Sequence, residues 1–303
     1  MHRKANLLFL NNSFYGTTSG GGKNGAGSVF TVGKNGTGRL LYSFRQGASG
    51  SAPFAGLINV KGLLYGTTAF GGHFTAGSVY SITAAGVEHE LHIFRGARGL
   101  DGQGPQGDLL NVNGMLYGTT VSGGLHTRGT VFTITTAGAE HVLYNFNAAP
   151  DADNPYASLT NVNGTLYGTT RHGGTDSIDD GCGTIFEIST TGTEQVLHSF
   201  DGTDGCLPVS SLIYVKGKLY GTAEAGGIKC VMGNGDPNNG CGTVFSMTPS
   251  GTFIVLHRFD RKRDPAGAHP IAGLTYMQGS VYGTTTSGGA YDRGTVFAFT
   301  PTP

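Results

Sequence analysis

The tripeptide Tyr-Gly-Thr occurs six times along the chain, with its tyrosine at Tyr15, Tyr65, Tyr117, Tyr167, Tyr220 and Tyr282, at intervals of 50, 52, 50, 53 and 62 residues. A near-constant period of this size is the mark of a repeat architecture, and it overrides the usual reading of a 303-residue chain as two domains of about 150 residues. Three further landmarks keep step with the tyrosine. A glycine doublet follows at Gly20, Gly71, Gly123, Gly173, Gly226 and Gly288. A Gly-Ser/Thr-Val/Ile-aromatic run then ends at Phe30, Tyr80, Phe132, Phe186, Phe245 and Phe297. An aliphatic residue, an aromatic or His, any residue and Phe close the first five repeats at Phe44, Phe94, Phe146, Phe200 and Phe259, and the sixth repeat lacks this element.

Within one repeat the local signals are those of short strands. ASLTNVNGTLYGTT holds two β-rich runs around Asn163-Gly164, a dipeptide suited to the positive φ angles of a type I′ hairpin. Lys61-Gly62, Asn113-Gly114, Lys216-Gly217 and Gln278-Gly279 fill the same slot. These runs are strands a and b. The Gly-Thr-Val-Phe run is strand c, and the segment ending at Phe200 and its equivalents is strand d. A four-stranded antiparallel unit cannot bury both faces alone, and radial stacking of such units leaves only short edges. The expected fold is therefore all-β, a six-bladed β-propeller with four-stranded kelch-like blades, forming a single domain over 1–303. Its blades fall at about 5–46, 55–96, 107–148, 157–200, 209–260 and 271–300. The last blade is short by one strand unless the N-terminus completes it. Met1 to Lys4 are placed to cap that edge, and Pro301 and Pro303 blunt it by removing backbone donors.

The combination LYGTT, glycine doublet, GTVF and VLHSF resembles the tandem repeat of the bacterial GloVer-type proteins and, more distantly, the kelch repeat. The resemblance spans nearly the whole chain. It implies a propeller that is exported and held at the cell surface by a separate anchor, and it brings no agreed activity. The opening MHRKANLLFLNN has too short an apolar stretch for a signal-peptide core, and no run approaches the 18 apolar residues of a membrane span.

In an antiparallel blade the a–b and c–d turns share one face, and the b–c loops and d-to-a connections share the other. The long segments, such as FRGARGLDGQGPQGD and AGGIKCVMGNGDPNNGCG, all belong to the second face, so binding or catalysis is expected there. The four cysteines fall on that face too. Three connectivities are open to them, and placement favours Cys182 with Cys206 and Cys230 with Cys241, which points to an oxidising compartment, secreted or at the cell surface. No pair has the Cys-x-x-Cys spacing of a zinc site.

Where every repeat obeys a consensus, function is best sought where one breaks it. Blade four carries Arg171 and His172 before its doublet, then Asp176, Asp179 and Asp180. Blade three has His126 and Arg128, and blade two Phe70, His73 and Phe74. Blade five adds Glu224 beside Ala223, and blade six has Tyr291, Asp292 and Arg293. The equally simple reading is that these loops are polar because they are wet. His92, His198 and His257 replace Tyr42 and Tyr144 of sister repeats and read as half-buried packing positions with a polar tip. The d-to-a connections hold Asp101, Asp151, Asp153, Asp201, Asp204 and Asp264, hard oxygen ligands of the type that holds Ca²⁺, although Asp-Gly is also ordinary turn chemistry and no twelve-residue calcium loop is present. No cofactor motif occurs: there is no Gly-x-Ser-x-Gly, His-Glu-x-x-His or Gly-Lys-Ser/Thr. Asn11, Asn35 and Asn163 fit the glycosylation sequon, and two of them, Asn35 and Asn163, sit in Asn-Gly turns that explain them without sugar.

With 19 basic and 19 acidic residues there is no excess charge to attract a phosphate backbone, so nucleic acid is not the expected partner. The leading expectation is a binding propeller that recognises a glycan or another extracellular ligand, with the repeated tyrosines as sugar-stacking rings or as packing between blades. The rival is a polysaccharide lyase or hydrolase at the same face, with His172 and Tyr291 as base and acid and Arg171 or Arg293 neutralising a uronate carboxylate. An adhesion module with a protein ligand is the third.

Overall fold

The computed structural model describes residues 6–45, 47, 49–147, 150–175, 181–227, 240–260 and 267–301. Met1 to Lys4, Pro303, Asp176, Asp179, Asp180, Cys230 and Asp264 lie outside the described residues. By compactness the chain divides into two units, Met1–Phe146 and Asn147–Pro303.

Each unit holds three blades. In the first, blade one runs Leu8–Leu10, Ser13–Thr18, Ser28–Gly33 and Gly38–Ser43, blade two Ile58–Val60, Leu63–Thr68, Ser78–Ile82 and Glu88–Ile93, and blade three Leu110–Val112, Met115–Thr120, Thr130–Thr135 and Glu140–Asn145. In the second, blade four runs Thr160–Val162, Thr165–Thr170, Thr184–Ser189 and Glu194–Ser199, and blade five Ile213–Val215, Lys218–Ala223, Thr243–Met247 and Phe253–Arg258. Blade six has Thr275–Met277, Ser280–Thr284 and Val296–Phe299, a three-stranded sheet among the described residues. All strand pairs named are antiparallel and run in sequence order a-b-c-d.

The a–b turns follow from their sequences. Asn163 and Gly164 have φ of 52° and 94°, and Lys61-Gly62, Asn113-Gly114, Lys216-Gly217 and Gln278-Gly279 adopt the same pair of left-handed conformations. Blade one makes the turn without glycine, Asn11 and Asn12 sitting at 49° and 62°. Asparagine is the side chain that tolerates this region best.

The glycine of Tyr-Gly-Thr has a different task. In blade three Gly118 lies directly opposite Phe132 on strand c, and a Cβ on Gly118 would stand 2.5 Å from the tip of the Phe132 ring and 3.1 Å from Leu109. The missing side chain is the space the ring occupies. The aromatic that folds over the glycine then meets the Phe ending strand d of the preceding blade, edge to face: Phe94 with Phe132 at 5.1 Å, Phe44 with Tyr80 at 5.0 Å, Phe200 with Phe245 at 5.3 Å and Phe259 with Phe297 at 5.3 Å. One repeated Gly–aromatic–Phe arrangement thus packs each sheet and joins it to its neighbour within the unit.

Candidate functional site

The d-to-a connections and b–c loops lie on the same side of each blade, because they bridge to one another. Ser51 pairs with Phe70, Gln103 with Ser122, Cys206 with Ala225 and Ala268 with Ser287, and Ala152–Asp153 pairs with His172–Gly173. This is the face that carries the long loops. Cys182 and Cys206 are joined there by a disulfide. Cys241 is buried and also disulfide-bonded.

In the first unit the loop face of blade two presents two pairs of aromatic rings. Phe70 is 48% exposed and stands edge-on to Phe54, with ring centres 6.2 Å apart. In the same b–c loop His73 meets Phe74 at 4.9 Å, and the Arg95 guanidinium lies 5.7 Å from the centre of the Phe74 ring. The sequence singled out Phe70, His73 and Phe74 but not Phe54, which follows a proline that blades two to six all have at this point of the connection. Of the blade-three candidates, His126 is exposed at the loop tip and Arg128 is half-buried where the loop bridges back to Gly123.

Asp108 is a residue the sequence reading passed over. It stands one residue before the leucine that immediately precedes strand a, where the other blades have Asn6, Gly56, Ser158, Ser211 and Gly273. A carboxylate in a slot otherwise small or neutral is the sequence signal for it, and it lies outside the b–c loops in which the repeats differ most. The Gly56 amide donates to Asp108 Oδ1 at 2.6 Å and the Asn6 amide to Oδ2 at 3.5 Å. Burial raises this carboxyl above its ordinary range, with the Gly56 and Asn6 bonds opposing the shift. The residue nonetheless keeps part of its surface open to solvent.

In the second unit Arg171 and His172 extend the second strand of blade four. His172 is paired into the short bridge with Asp153, and the Arg171 guanidinium lies 5.7 Å from the centre of the Tyr156 ring, a cation set on an aromatic face. Tyr156 is another post-proline residue that the sequence reading missed. Glu224 is half-buried at the matching point of blade five, where its carbonyl meets His269 Nδ1 at 3.1 Å. The blade-six candidates stand apart from such packing. Tyr291 is 89% exposed, Arg293 is exposed, and Asp292 spends a carboxylate oxygen on the Gly288 amide at 2.8 Å, closing its own turn.

Other sequence candidates have structural work. The Tyr-Gly-Thr tyrosines Tyr15, Tyr65, Tyr117, Tyr167 and Tyr220 are buried, so they pack the blades and cannot stack on sugars. Asp101 Oδ1 and Oδ2 accept the Arg95 amide at 2.9 and 3.1 Å, Asp151 accepts the Asn147 amide at 2.8 Å, and Asp204 accepts the Asp201 amide at 3.1 Å. Each of these carboxylates caps the residue after a strand-d Phe, which is turn chemistry. Ser49 does the same for Arg45 at 3.0 Å. Among the described residues no set of three His, Cys, Asp or Glu side chains is placed to hold a metal.

The strand-d histidines meet the same caps. His92 Nε2 is 3.2 Å from Asp101 Oδ2 and 4.0 Å from Glu140 Oε2, and His198 Nε2 is 2.8 Å from Asp204 Oδ2. Burial pushes the Glu140 carboxyl up to about 7, helped by Asp101 and opposed by His92.

Six small antiparallel sheets in sequence order, each with its long connections at one end, define a six-bladed β-propeller. The chain belongs to the Gloeobacter/Verrucomicrobia repeat family, whose profile matches residues 2–234. Among curated proteins no relative matches it. Its fold is similar to that of a Bacteroides uniformis protein assigned as a 6-phosphogluconolactonase, at TM-score 0.59 and 14% identity over 97% of this chain and 80% of that one. A Xanthomonas campestris gluconolactonase is similar at TM-score 0.50 and 15% identity, over 90% and 79% of the two chains. A polysaccharide lyase, an ulvan lyase bound to -[GlcA(1-4)Rha3S]-, is similar at TM-score 0.56 and 9% identity, over 94% and 80%. At these identities the likeness is one of fold. No helix among the described residues is long and apolar enough to cross a membrane.

Proposed function

We propose that the chain is a carbohydrate-binding propeller working outside the cytoplasm, and that its long-loop face takes an acidic glycan. The observation that carries this reading is the Phe54–Phe70 pair, an aromatic ring nearly half exposed on the loop face and braced by a second ring. A large apolar ring held in solvent by a rigid neighbour is a platform for the apolar face of a sugar. In the second unit, Arg171 set on Tyr156 is, on its own, a cation of fixed direction for a carboxylate or sulfate. The Cys182–Cys206 disulfide supports an oxidising compartment. The three fold neighbours are all named for sugar or sugar-acid chemistry, which supports the ligand class.

Affinity electrophoresis and calorimetry against uronate-containing, sulfated and neutral polysaccharides test it. Phe70→Ala should weaken binding about tenfold, equivalent to about 1.4 kcal/mol. Arg171→Ala should weaken binding to acidic glycans and reduce its salt dependence, with little effect on neutral ones. A chain that retains no polysaccharide at high concentration, or Phe70→Ala binding as tightly as the parent, sinks the proposal.

A polysaccharide lyase or hydrolase at the same face is the second reading, and Asp108 favours it. A carboxyl raised by burial, held by two donors and still open to solvent, is suited to proton transfer. Asp108→Asn should then lower kcat by about a hundredfold or more while glycan affinity persists. Turnover of any bound polysaccharide at the parent rate by Asp108→Asn would remove this assignment.

A further inference from the structure

We infer that the loop face of the first unit binds a polyanionic glycan chain through Arg45, Arg95 and Arg98, on the same face that carries the Phe54–Phe70 rings. The inference rests on the glycan reading above and deepens it, since the ligand becomes a chain with several charges and the first unit takes it. The net charge of zero conceals an uneven division. Residues 1–146 hold ten Lys and Arg against five Asp and Glu, and no acidic residue precedes Glu88. Residues 147–303 hold nine against fourteen.

One repeated slot shows this division at a single backbone position. The residue after the strand-d Phe is Arg45 and Arg95 in blades one and two, Asn147 in blade three, and Asp201 and Asp260 in blades four and five. In blades one to four its amide is held alike, by Ser49, Asp101, Asp151 and Asp204. The backbone is constant and the charge changes sign. Arg45 and Arg95 are exposed, as are Arg98 in the same connection as Arg95 and Lys23 in the b–c loop of blade one. Among the described residues none of these four cations is in an ion pair. The acidic residues of the unit do not neutralise them. Asp101 and Asp108 are spent on the amides of Arg95 and Gly56. Glu88, Glu90 and Glu140 lie in the half of strand d next to the c–d turn, at the other end of the blade. Like charges gathered on one face without counter-charges repel one another and concentrate anions from solution.

The chemistry of the ligand follows from these groups. A guanidinium is a planar fork that matches a carboxylate or a sulfate. Arg95 is given direction by the Phe74 ring, 5.7 Å from its guanidinium. Arg45 and Arg95 occupy one slot on successive blades, which fits charges repeated along a chain and not a single anion. The Cys182–Cys206 disulfide favours an extracellular polyanion, a glycan, over nucleic acid.

The test uses the whole chain and a fluorescent uronate oligosaccharide of about six residues, read by anisotropy over a range of salt concentrations. The variant is Arg45→Asn with Arg95→Asn, which places blade three's own residue at the slot and leaves the capped amides in place, so Tm should not change. It should weaken binding about tenfold or more and lower the slope of log affinity against log salt by about one to two. The uronate monosaccharide should bind at least tenfold more weakly than the oligomer. Parent affinity and slope in the double variant overturn the inference, and if Phe70→Ala still loses binding, the glycan reading survives without it. A neutral oligosaccharide bound as tightly as the uronate defeats the acidic-glycan reading and this inference together. Tighter binding of single-stranded DNA of equal charge would make nucleic acid the occupant. A dimer in sedimentation that the double variant dissociates without glycan would make it the acidic unit of a second copy. Either result overturns the inference.

Discussion

Replacing Gly118 by alanine tests the packing rule that every blade repeats. The residue is opposite Phe132 in the ladder, and its added Cβ would come to 2.5 Å from Cζ, 2.7 Å from Cε1 and 3.1 Å from Leu109 Cδ2. Ordinary carbon contacts begin near 3.5 Å, so the ring must move by about 1 Å. It has no free direction, because Phe132 is fully buried and Phe94 stands edge-on at 5.1 Å. Overpacking of this kind costs about 1–3 kcal/mol, offset by about 0.4–1 kcal/mol from the stiffer unfolded chain. The expected net loss is about 1–2 kcal/mol, read as a lower midpoint in urea unfolding at unchanged m value. Phe132→Leu alone should also destabilise, but adding Gly118→Ala to it should cost nothing further, since the methyl enters space the ring has left. A coupling energy of about 1–2 kcal/mol in the double-mutant cycle is the signature. Strictly additive effects, or a stabilised Gly118→Ala, would refute the steric account and leave the glycine to be explained by backbone conformation.

Two further outcomes follow from the same coordinates. Cys182 and Cys206 are separated by 24 positions, a loop whose closure is worth about 3 kcal/mol, so Cys182→Ala with Cys206→Ala should lower unfolding stability by about that amount; an unchanged urea midpoint would contradict it. Burial holds the Glu140 carboxyl at about 7 against an ordinary 4.5, so the folded chain binds more protons than the unfolded chain between those values and its stability falls as pH rises through them. Glu140→Gln removes that loss, and allowing for solvent screening of a group that is not fully buried it should gain about 1 kcal/mol on the parent at about pH 8 relative to about pH 5. An equal difference between the two proteins at both pH values would show that Glu140 titrates normally.

The repeat determined a great deal before any coordinates. Its period gives the number of blades, and its Asn-Gly and Lys-Gly pairs give the a–b turns, because a turn is settled by neighbours a few residues apart. Proximity on the loop face also followed from strand alternation, and Cys182 with Cys206 is its result.

What only the tertiary structure decided concerns pairs distant in sequence. Phe70 becomes a candidate contact because Phe54, in the preceding connection, braces it, and Arg171 acquires direction from Tyr156. Asp108 has its carboxyl raised by burial between blades and held by the Gly56 amide 52 residues away, a bond that opposes the rise. Tyr15, Tyr65, Tyr117, Tyr167 and Tyr220, read as either sugar platforms or packing, proved buried, since strand b has a strand paired on each side of it. Asp101, Asp151 and Asp204 look like metal ligands in sequence and act as caps in space, because a backbone amide after each strand-d Phe needs an acceptor that no strand supplies. Local rules fix how each blade folds. Which side chains meet on its rim depends on how one blade is set against the next.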